Sequence, residues 1–144
     1  MPKKKEIRSH CPISYALDVF GDKWTLLIIR DLLLFGKRTY GEFAGSEEKI
    51  ATNILADRLA ALEEEGIVSK AVDNDRKSRF IYSITQKGID LLPIMVEIIR
   101  WSSTYDADTH VPKEMAEKAK KERDAFLREI LQGLANNQYL LARQ

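Results

Sequence analysis

Side chains suited to hydrogen bonding with nucleic acid are concentrated between residues 39 and 79 of this 144-residue chain. Asn53 carries an amide that can pair bidentately with adenine in the major groove. A short polar segment contains Arg76, Lys77 and Arg79, which could contribute salt-dependent contacts with the DNA backbone. The complete set of predicted DNA-binding residues is Thr39, Tyr40, Thr52, Asn53, Ala56, Asp57, Arg58, Arg76, Lys77, Ser78 and Arg79.

The elements that must position these side chains follow from local sequence patterns. Thr39, with Glu42 three residues later, predicts a capping box and a short helix starting at Thr39. Thr52 is positioned as the cap of a second helix, which ends at Gly66. The apolar face of that helix consists of Ile54, Leu55, Leu59 and Leu62.

Residues 67 to 85 predict a β-hairpin. From Ile67 to Val72 and from Arg79 to Thr85, apolar and polar residues alternate with a period of two, and the polar tip 74–78 separates the two runs. A short helix, a turn, an amphipathic helix and a hairpin are the parts of a helix-turn-helix with a wing. Such a unit usually binds double-stranded DNA.

Helices are predicted on both sides of this unit. Pro12 opens a first helix that ends at Gly21, and a buried second helix runs from about Lys23 to Phe35. After the hairpin, Thr85 is predicted to cap one long helix from Gln86 to about Tyr105, bent near Ile89 because Pro93 lies inside it. One face of this helix contains Ile89, Leu92, Val96 and Ile99, and another contains Leu91, Met95, Ile98, Trp101 and Tyr105. Two apolar faces in so small a protein predict contact with a second copy of the chain, and therefore a homodimer.

The fold class predicted for the whole chain is mainly α with a small antiparallel β-hairpin. Residues 9–106 are expected to form the winged helix-turn-helix domain with its dimerisation helices, and residues 107–144 a helical C-terminal extension. The stretch from Asp106 to Pro112 resembles a linker. The following residues have a helix-forming composition, and they either extend the dimer contact or fold back onto the domain.

Composition limits the classes of function. The formal net charge is +1, so DNA contact must come from local patches, of which Lys3, Lys4, Lys5 and Arg8 form one and the hairpin tip another. No apolar run is long enough for a membrane span or a signal peptide, which together with a single cysteine predicts a cytoplasmic protein. The two histidines lie a hundred residues apart, and neither a cysteine pair nor a phosphate loop is present. We therefore expect no enzyme activity, no metal and no cofactor.

Four segments carry a resemblance to a known family. They are residues 11–13 (Cys-Pro-Ile), 21–28 (Gly-Asp-Lys-Trp-Thr-Leu-Leu-Ile), 55–66 (Leu-Ala-Asp-Arg-Leu-Ala-Ala-Leu-Glu-Glu-Glu-Gly) and 82–88 (Tyr-Ser-Ile-Thr-Gln-Lys-Gly). In order and spacing they resemble the HxlR-type family of bacterial transcriptional regulators, over about residues 9 to 104. The resemblance implies a winged-helix dimer, built with the first and post-wing helices, that binds a palindromic operator. The alternative from another class is a winged-helix module that binds protein rather than DNA.

Several residues keep two interpretations at this stage. Asn53 either contacts a base or helps the helix to start, and Tyr40 either contacts phosphate or packs in the core. Arg58 either reaches DNA or pairs with Glu42 or Glu63.

The role of Cys11 is also open. As a thiol at a helix amino terminus beside His10, it either packs structurally or has a lowered pKa and reacts with oxidants or electrophiles. Some members of the resembled family use a cysteine at the matching position as such a sensor. The sequence does not identify the effector.

Overall fold

The computed structural model describes residues 6–141, so Lys3, Lys4 and Lys5 of the predicted amino-terminal patch lie outside it. In this range the chain forms helices α1 (Pro12–Phe20), α2 (Thr25–Leu33), α3 (Tyr40–Ala44) and α4 (Thr52–Glu64), strands β1 (Val68–Val72) and β2 (Phe80–Ile84), and helices α5 (Gln86–Ile89), α6 (Leu92–Tyr105), α7 (Lys113–Lys121) and α8 (Arg123–Ala135). The two strands form one antiparallel sheet. The predicted class, mainly α with a small antiparallel hairpin, is confirmed.

Helix α2 is the central helix of the core. Its buried apolar side chains are Ile28, Ile29, Leu32 and Leu33. The helix begins where the carboxylate of Asp22 accepts hydrogen bonds from the backbone N–H groups of Trp24 (2.9 Å) and Thr25 (3.0 Å). These bonds satisfy amide groups that have no partner within the helix, so the turn after α1 fixes the start of α2.

Helices α3 and α4 form the helix-turn-helix. The capping box at Thr39 is confirmed, because its hydroxyl accepts from the backbone N–H of Glu42 while the Glu42 side chain accepts from the backbone N–H of Thr39. The predicted cap at Thr52 is wrong. Ala51 has the extended backbone (φ −62°, ψ 141°) that a cap residue requires, and Thr52 is the first helical residue.

The hairpin pairs β1 with β2 in a register that joins Val68 to Ile84 and Val72 to Phe80. Each strand is slightly shorter than the alternating pattern predicts. The backbone N–H of Tyr82 also donates to the carbonyl of Arg38 at 2.8 Å, so the segment between α2 and α3 is hydrogen-bonded to the second strand. The middle of the second strand is therefore tied to the segment that leads into the helix-turn-helix.

The single continuous helix predicted after the wing is wrong, although the chain breaks near Ile89, where the bend was predicted. Helix α5 ends at Ile89, and α6 starts at Leu92 with Pro93 in its first turn. Proline lacks a backbone N–H, which is tolerated in a first turn but not in a helix interior, so the chain starts a new helix instead of bending an old one. Met95 is buried in the core of the chain, whereas Ile98, Trp101 and Tyr105 of the same predicted face are exposed.

The C-terminal extension consists of two helices, α7 and α8, and it folds back onto the domain. Phe126 and Ile130 of α8 and Ala119 of α7 belong to the same buried cluster as α2, α4 and α6. Beyond α8, the backbone N–H of Leu141 donates to the carbonyl of Leu34 at 2.8 Å. The sequence left this alternative open. The division of the chain at residues 106 and 107 stays a prediction.

No helix within residues 6–141 combines the length and the apolar character needed to cross a lipid bilayer.

Candidate nucleic-acid interface

Helix α4 presents a polar face away from the core. Its apolar face is buried through Leu55, Leu59 and Leu62. Exposed residues on the other side include Thr52, Asn53, Ala56, Asp57 and Ala60. The side chain of Asn53 makes no hydrogen bond with any residue that the structure describes, and the cap of α4 is Ala51. A capping role for Asn53 therefore has no support in the geometry, and its amide faces solvent.

The hydroxyls at the start of α3 are engaged within the chain. Tyr40 donates from its hydroxyl to the carbonyl of Thr52 at 2.8 Å, which joins the first turns of α3 and α4. The Thr39 hydroxyl donates to the Glu42 carboxylate at 3.1 Å as part of the capping box. Tyr40 is partly exposed rather than buried in the core. Both hydroxyl groups therefore stabilise the conformation of the helix-turn-helix.

The guanidinium of Arg58 lies between two carboxylates that the sequence did not indicate as partners. Its Nε is 3.0 Å from Oδ2 of Asp22, and its Nη1 is 2.7 Å from Oδ2 of Asp57. The predicted pairing with Glu42 or Glu63 is wrong, because the turn between α1 and α2 lies beside α4 and supplies Asp22. Partial burial raises the pKa of Asp22, but hydrogen bonds from Thr25 and Trp24 and the charge of Arg58 outweigh it and lower that pKa.

The tip of the wing combines free and engaged cations. Residues 74–79 are all exposed. Arg79 pairs through Nε with Oδ2 of Asp73 at 2.6 Å, whereas Arg76 and Lys77 form no ion pair within the described part of the chain. The hydrogen bond from Arg79, together with the backbone N–H of Asp75, lowers the pKa of Asp73. Asp73 therefore shapes the turn, a role that the sequence analysis missed.

The folded chain brings the start of α3 and the wing tip to one groove. Its volume is about 450 Å³, and its lining includes Thr39, Tyr40, Arg76, Ser78 and Arg79. These five predicted residues are separated by about forty positions in sequence, yet they share this surface. Thr52, Asn53, Ala56, Asp57 and Arg58 are on α4 and do not line the groove.

A buried ionic network supports the turn between α3 and α4. Asp31 is almost fully buried, accepts from Ser46 Oγ at 2.5 Å, and pairs with Arg30 at 2.8 Å. Lys37 lies 3.6 Å from the same carboxylate and donates to Ser46. The ammonium group of Lys37 is therefore held inside this network. Buried Asp31 is a second structural residue that local sequence patterns did not reveal.

Cys11 is a free and exposed thiol that immediately precedes α1. The nearby backbone N–H groups of Ser14 and Ile13 in the first helical turn favour the thiolate and lower the pKa of Cys11. A helix amino terminus favours the thiolate over the neutral thiol for this reason. Since the side chain is exposed, packing within the chain does not account for it.

The arrangement of α3, α4 and the β1–β2 wing defines a winged helix-turn-helix. A profile of the HxlR-like helix-turn-helix family matches residues 19–110, which includes every one of these elements but not Cys11. The chain belongs to this family of transcriptional regulators. The earlier resemblance is thereby confirmed, and no enzyme family is indicated.

Three relatives illustrate the similarity. The chain is 33% identical over 96 residues to the HTH-type transcriptional regulator YvaP of Bacillus subtilis, covering 66% of this chain and 88% of YvaP. The reduced form of the transcriptional regulator YodB from B. subtilis superposes with a TM-score of 0.56 at 27% identity, covering 70% of this chain and 99% of YodB. The redox regulator HypR in its oxidized form gives a TM-score of 0.57 at 28% identity, covering 65% of this chain and 96% of HypR.

Proposed function

We propose that this protein is a sequence-specific DNA-binding regulator that acts in the cytoplasm and binds a palindromic operator as a homodimer. The observation that carries the proposal is the outward, polar face of α4 in a helix-turn-helix whose other helix, α3, shares a groove with the basic wing. In a helix-turn-helix, the first turns of the second helix contact base edges, and flanking groups contact phosphates. Thr52, Asn53, Ala56, Asp57 and Arg58 would then lie nearest the bases.

The roles within this surface differ. Within residues 6–141 the side-chain amide of Asn53 makes no hydrogen bond, and this residue, in the first turn of α4, is best suited to select adenine. In the same range Arg76 and Lys77 form no ion pair, so at the wing tip they would contribute affinity for the DNA backbone without sequence choice. A module that binds only protein through this face would have no need for the separation into a polar reading helix and a basic wing.

The proposal is tested first by selecting bound genomic fragments with the purified protein. A palindromic site with half-sites about one helical turn apart, roughly 34 Å, is the expected result. Failure to enrich any fragment would contradict DNA binding and favour the protein-binding alternative.

Two substitutions then separate the assigned roles. Asn53→Ala should weaken the complex with the selected site by roughly 1 to 3 kcal/mol and leave non-specific binding nearly unchanged. Arg76→Ala should weaken both complexes and reduce the salt slope by about 1. Fluorescence anisotropy at several salt concentrations measures both quantities. Equal losses from the two changes on both duplexes would contradict the assignment.

The proposed homodimer rests on exposed apolar side chains of α1 and α6. Trp101 and Tyr105 near the end of α6 are 68% and 75% exposed, and their rings are in contact with centroids 5.6 Å apart. Ile94 and Ile98 are partly exposed on the same helix, as are Ile13, Tyr15 and Leu17 on α1. Aromatic groups of this size stabilise protein interfaces when a partner covers them.

Trp101→Glu should convert the dimer to a monomer, because it places a charge in the apolar contact. Leu131→Glu is the matched control, since Leu131 is a partly exposed apolar residue on α8 rather than on α1 or α6. Sedimentation velocity across a range of protein concentrations measures the change. A wild-type protein that stays monomeric at every concentration would contradict the homodimer.

A thiol-dependent response is part of the proposal. Its support is the exposed, easily ionised Cys11, and the similarity to YodB and to HypR, which is described as a redox regulator. The Cys11 thiolate can add to a ring carbon of benzoquinone. The carbon–sulfur bond forms as a ring carbon–carbon π bond opens, and the resulting enolate takes a proton from water to give the hydroquinone thioether. DNA affinity is expected to change after this reaction. Cys11→Ser should abolish the change, and an unchanged response in that variant would exclude the thiol.

A further inference from the structure

Arg58 is the cation of the recognition helix, and the chain already neutralises it. We infer that Asp22, in the turn between α1 and α2, sets the DNA affinity of α4 by competing with DNA for Arg58. This inference rests on the proposed DNA-binding function. It gives an affinity-determining role to a residue outside the helix-turn-helix and the wing, acting through another side chain.

The position of Arg58 allows two placements of its guanidinium. It lies one residue before buried Leu59 and three after buried Leu55, so its backbone is at the edge between the core and the outward face of α4. The side chains of Arg58 and Asp22 are 33% and 27% exposed. A long side chain at such an edge can reach the α1–α2 turn, as it does here, or extend towards the surface that faces DNA.

Asp22 is a preorganised acceptor. Its Oδ1 accepts from the Thr25 hydroxyl at 2.5 Å, and its Oδ2 accepts from the amides of Trp24 and Thr25 at the start of α2. These contacts hold the carboxylate in place without any help from Arg58. Because the Asp22 carboxylate is already ordered, its pairing with Arg58 costs little further conformational entropy of the acceptor. This favours the pair with Asp22 over pairing of Arg58 with a mobile acceptor.

The net charge around Arg58 determines whether Asp22 raises or lowers the affinity for DNA. Asp22 and Asp57 both hydrogen-bond to the one guanidinium, so the three groups together carry a charge of −1. A phosphate approaching this cluster is repelled, and it must displace a charge-assisted hydrogen bond to gain Arg58. Without the Asp22 charge the cluster is neutral, and the Arg58 side chain is available to DNA.

The expected effect of Asp22 on DNA affinity is modest because the Arg58–Asp22 pair is partly exposed. Pairs of this kind contribute less than about 1 kcal/mol, so Asp22→Asn should raise affinity for the operator by about two- to fivefold. If Arg58 then gains a phosphate, the salt slope should steepen by about 0.9. Asparagine can still accept the amide bonds at the start of α2, so the helix is expected to remain capped.

The test is a double-mutant cycle with the full-length protein and its selected operator, using Asp22→Asn, Arg58→Gln and the double variant. Asp22→Asn should raise affinity and steepen the salt slope in the wild-type background, and do neither in the Arg58→Gln background. A rise that persists in the double variant would be a general charge effect and would overturn the inference. Thermal unfolding of each variant checks that the fold is kept.

The opposite result is equally informative. If Asp22 orients Arg58 towards DNA instead of withholding it, Asp22→Asn lowers affinity while Arg58 is present, and the inference is wrong. Unchanged affinity and slope in Asp22→Asn would also overturn it. Absence of any DNA binding by the wild-type protein overturns the proposed function itself, and is distinct from both results because it precedes the cycle.

Discussion

Single side chains at this surface differ mainly in whether the chain already engages them. Asn53 and Arg76 are exposed and make no side-chain hydrogen bond or ion pair within the described residues, whereas Arg58 and Arg79 are bound to Asp22 and Asp73. An arginine that is already paired must exchange one carboxylate for one phosphate, so its net contribution to DNA affinity is smaller than its charge suggests. Residue type alone therefore overstates the number of cations that are available to DNA.

Cys11 provides a prediction at this scale that needs no DNA. Because amides of Ile13 and Ser14 stabilise the thiolate in the folded chain, the pKa of Cys11 is lowered and alkylation should begin at lower pH than for an unfolded chain. The rate of reaction with iodoacetamide, measured against pH in buffer and in concentrated urea, should show a lower midpoint in buffer. Coincident midpoints would contradict the stabilising contacts.

The lowered pKa of Cys11 also determines how this residue changes the free energy of unfolding with pH. A folded-state pKa below the unfolded value means that the thiolate form favours the folded state. This contribution is fully present above the unfolded pKa and is lost as the pH falls through the folded one. The Cys11→Ser variant should lack it.

Among the elements, the two helices of the helix-turn-helix begin in different ways. Helix α3 starts with a full capping box at Thr39, although it is only five residues long. Helix α4 starts after Ala51 without a side-chain cap, and the hydroxyl of Tyr40 binds the carbonyl of Thr52 from outside. The first turn of α4 is therefore positioned by a tertiary contact from α3 rather than by its own cap.

This difference predicts unequal effects of two similar substitutions. Thr39→Ala should lower the free energy of unfolding by about 1 kcal/mol, because it removes the cap of α3. Thr52→Ala should change it by less than about 0.5 kcal/mol, since the carbonyl that accepts from Tyr40 is kept and no cap is lost. Urea unfolding of both variants measures the difference. A larger loss for Thr52→Ala would show that its hydroxyl caps α4 after all.

At the scale of the whole molecule, the extension and the helix-turn-helix share one core. Arg123 at the start of α8 pairs with Glu97 of α6, and Tyr139 lies against Gly36, where an added Cβ would be 2.5 Å from its ring. Arg38 donates to the Tyr139 hydroxyl at 3.2 Å. The last described residues therefore contact the segment that joins α2 to α3, close to where the wing is attached.

Because the core is shared, a destabilising substitution in α8 should lower the stability of the whole chain. Phe126→Ala should lower the free energy of unfolding by about 3 to 5 kcal/mol, because it leaves a cavity beside α6 and α7. Leu131→Ala on the same helix should lower it by about 1 kcal/mol or less, since Leu131 is partly exposed.

Urea unfolding at one protein concentration, followed by circular dichroism and by the fluorescence of Trp24 and Trp101, tests this. The two signals should coincide in the wild-type protein and shift together in Phe126→Ala. A fluorescence transition that stays in place while circular dichroism shifts would mean that residues 107–144 unfold as a separate unit.

Much of the fold could be predicted because its signals are local. The capping residue Thr39, the glycine after α4, the alternation in the wing and Pro12 at the start of α1 each act within a few residues of the chain. Gly66 has a φ of +74°, a conformation that other residues rarely adopt, and this explains why the helix stops where the sequence predicted. Pro93 was misjudged because its effect depends on whether a helix has already begun.

The candidate site divides in the same way. By itself, the sequence determined the order of the elements from α1 to the wing, the family, and the positions of Asn53 on the second helix of the helix-turn-helix and of Arg76 and Lys77 at the wing tip. Periodicity and turn residues fix which of these side chains point away from the core. Only the tertiary structure decided which charges are already neutralised, as with Arg58 by Asp22, Lys37 by Asp31 and Arg79 by Asp73. The tertiary structure also showed that α7 and α8 fold back onto the rest of the chain. Asp22 and Arg58 are 36 positions apart and come into contact only when the core brings their elements together. Local sequence patterns therefore do not indicate this pair.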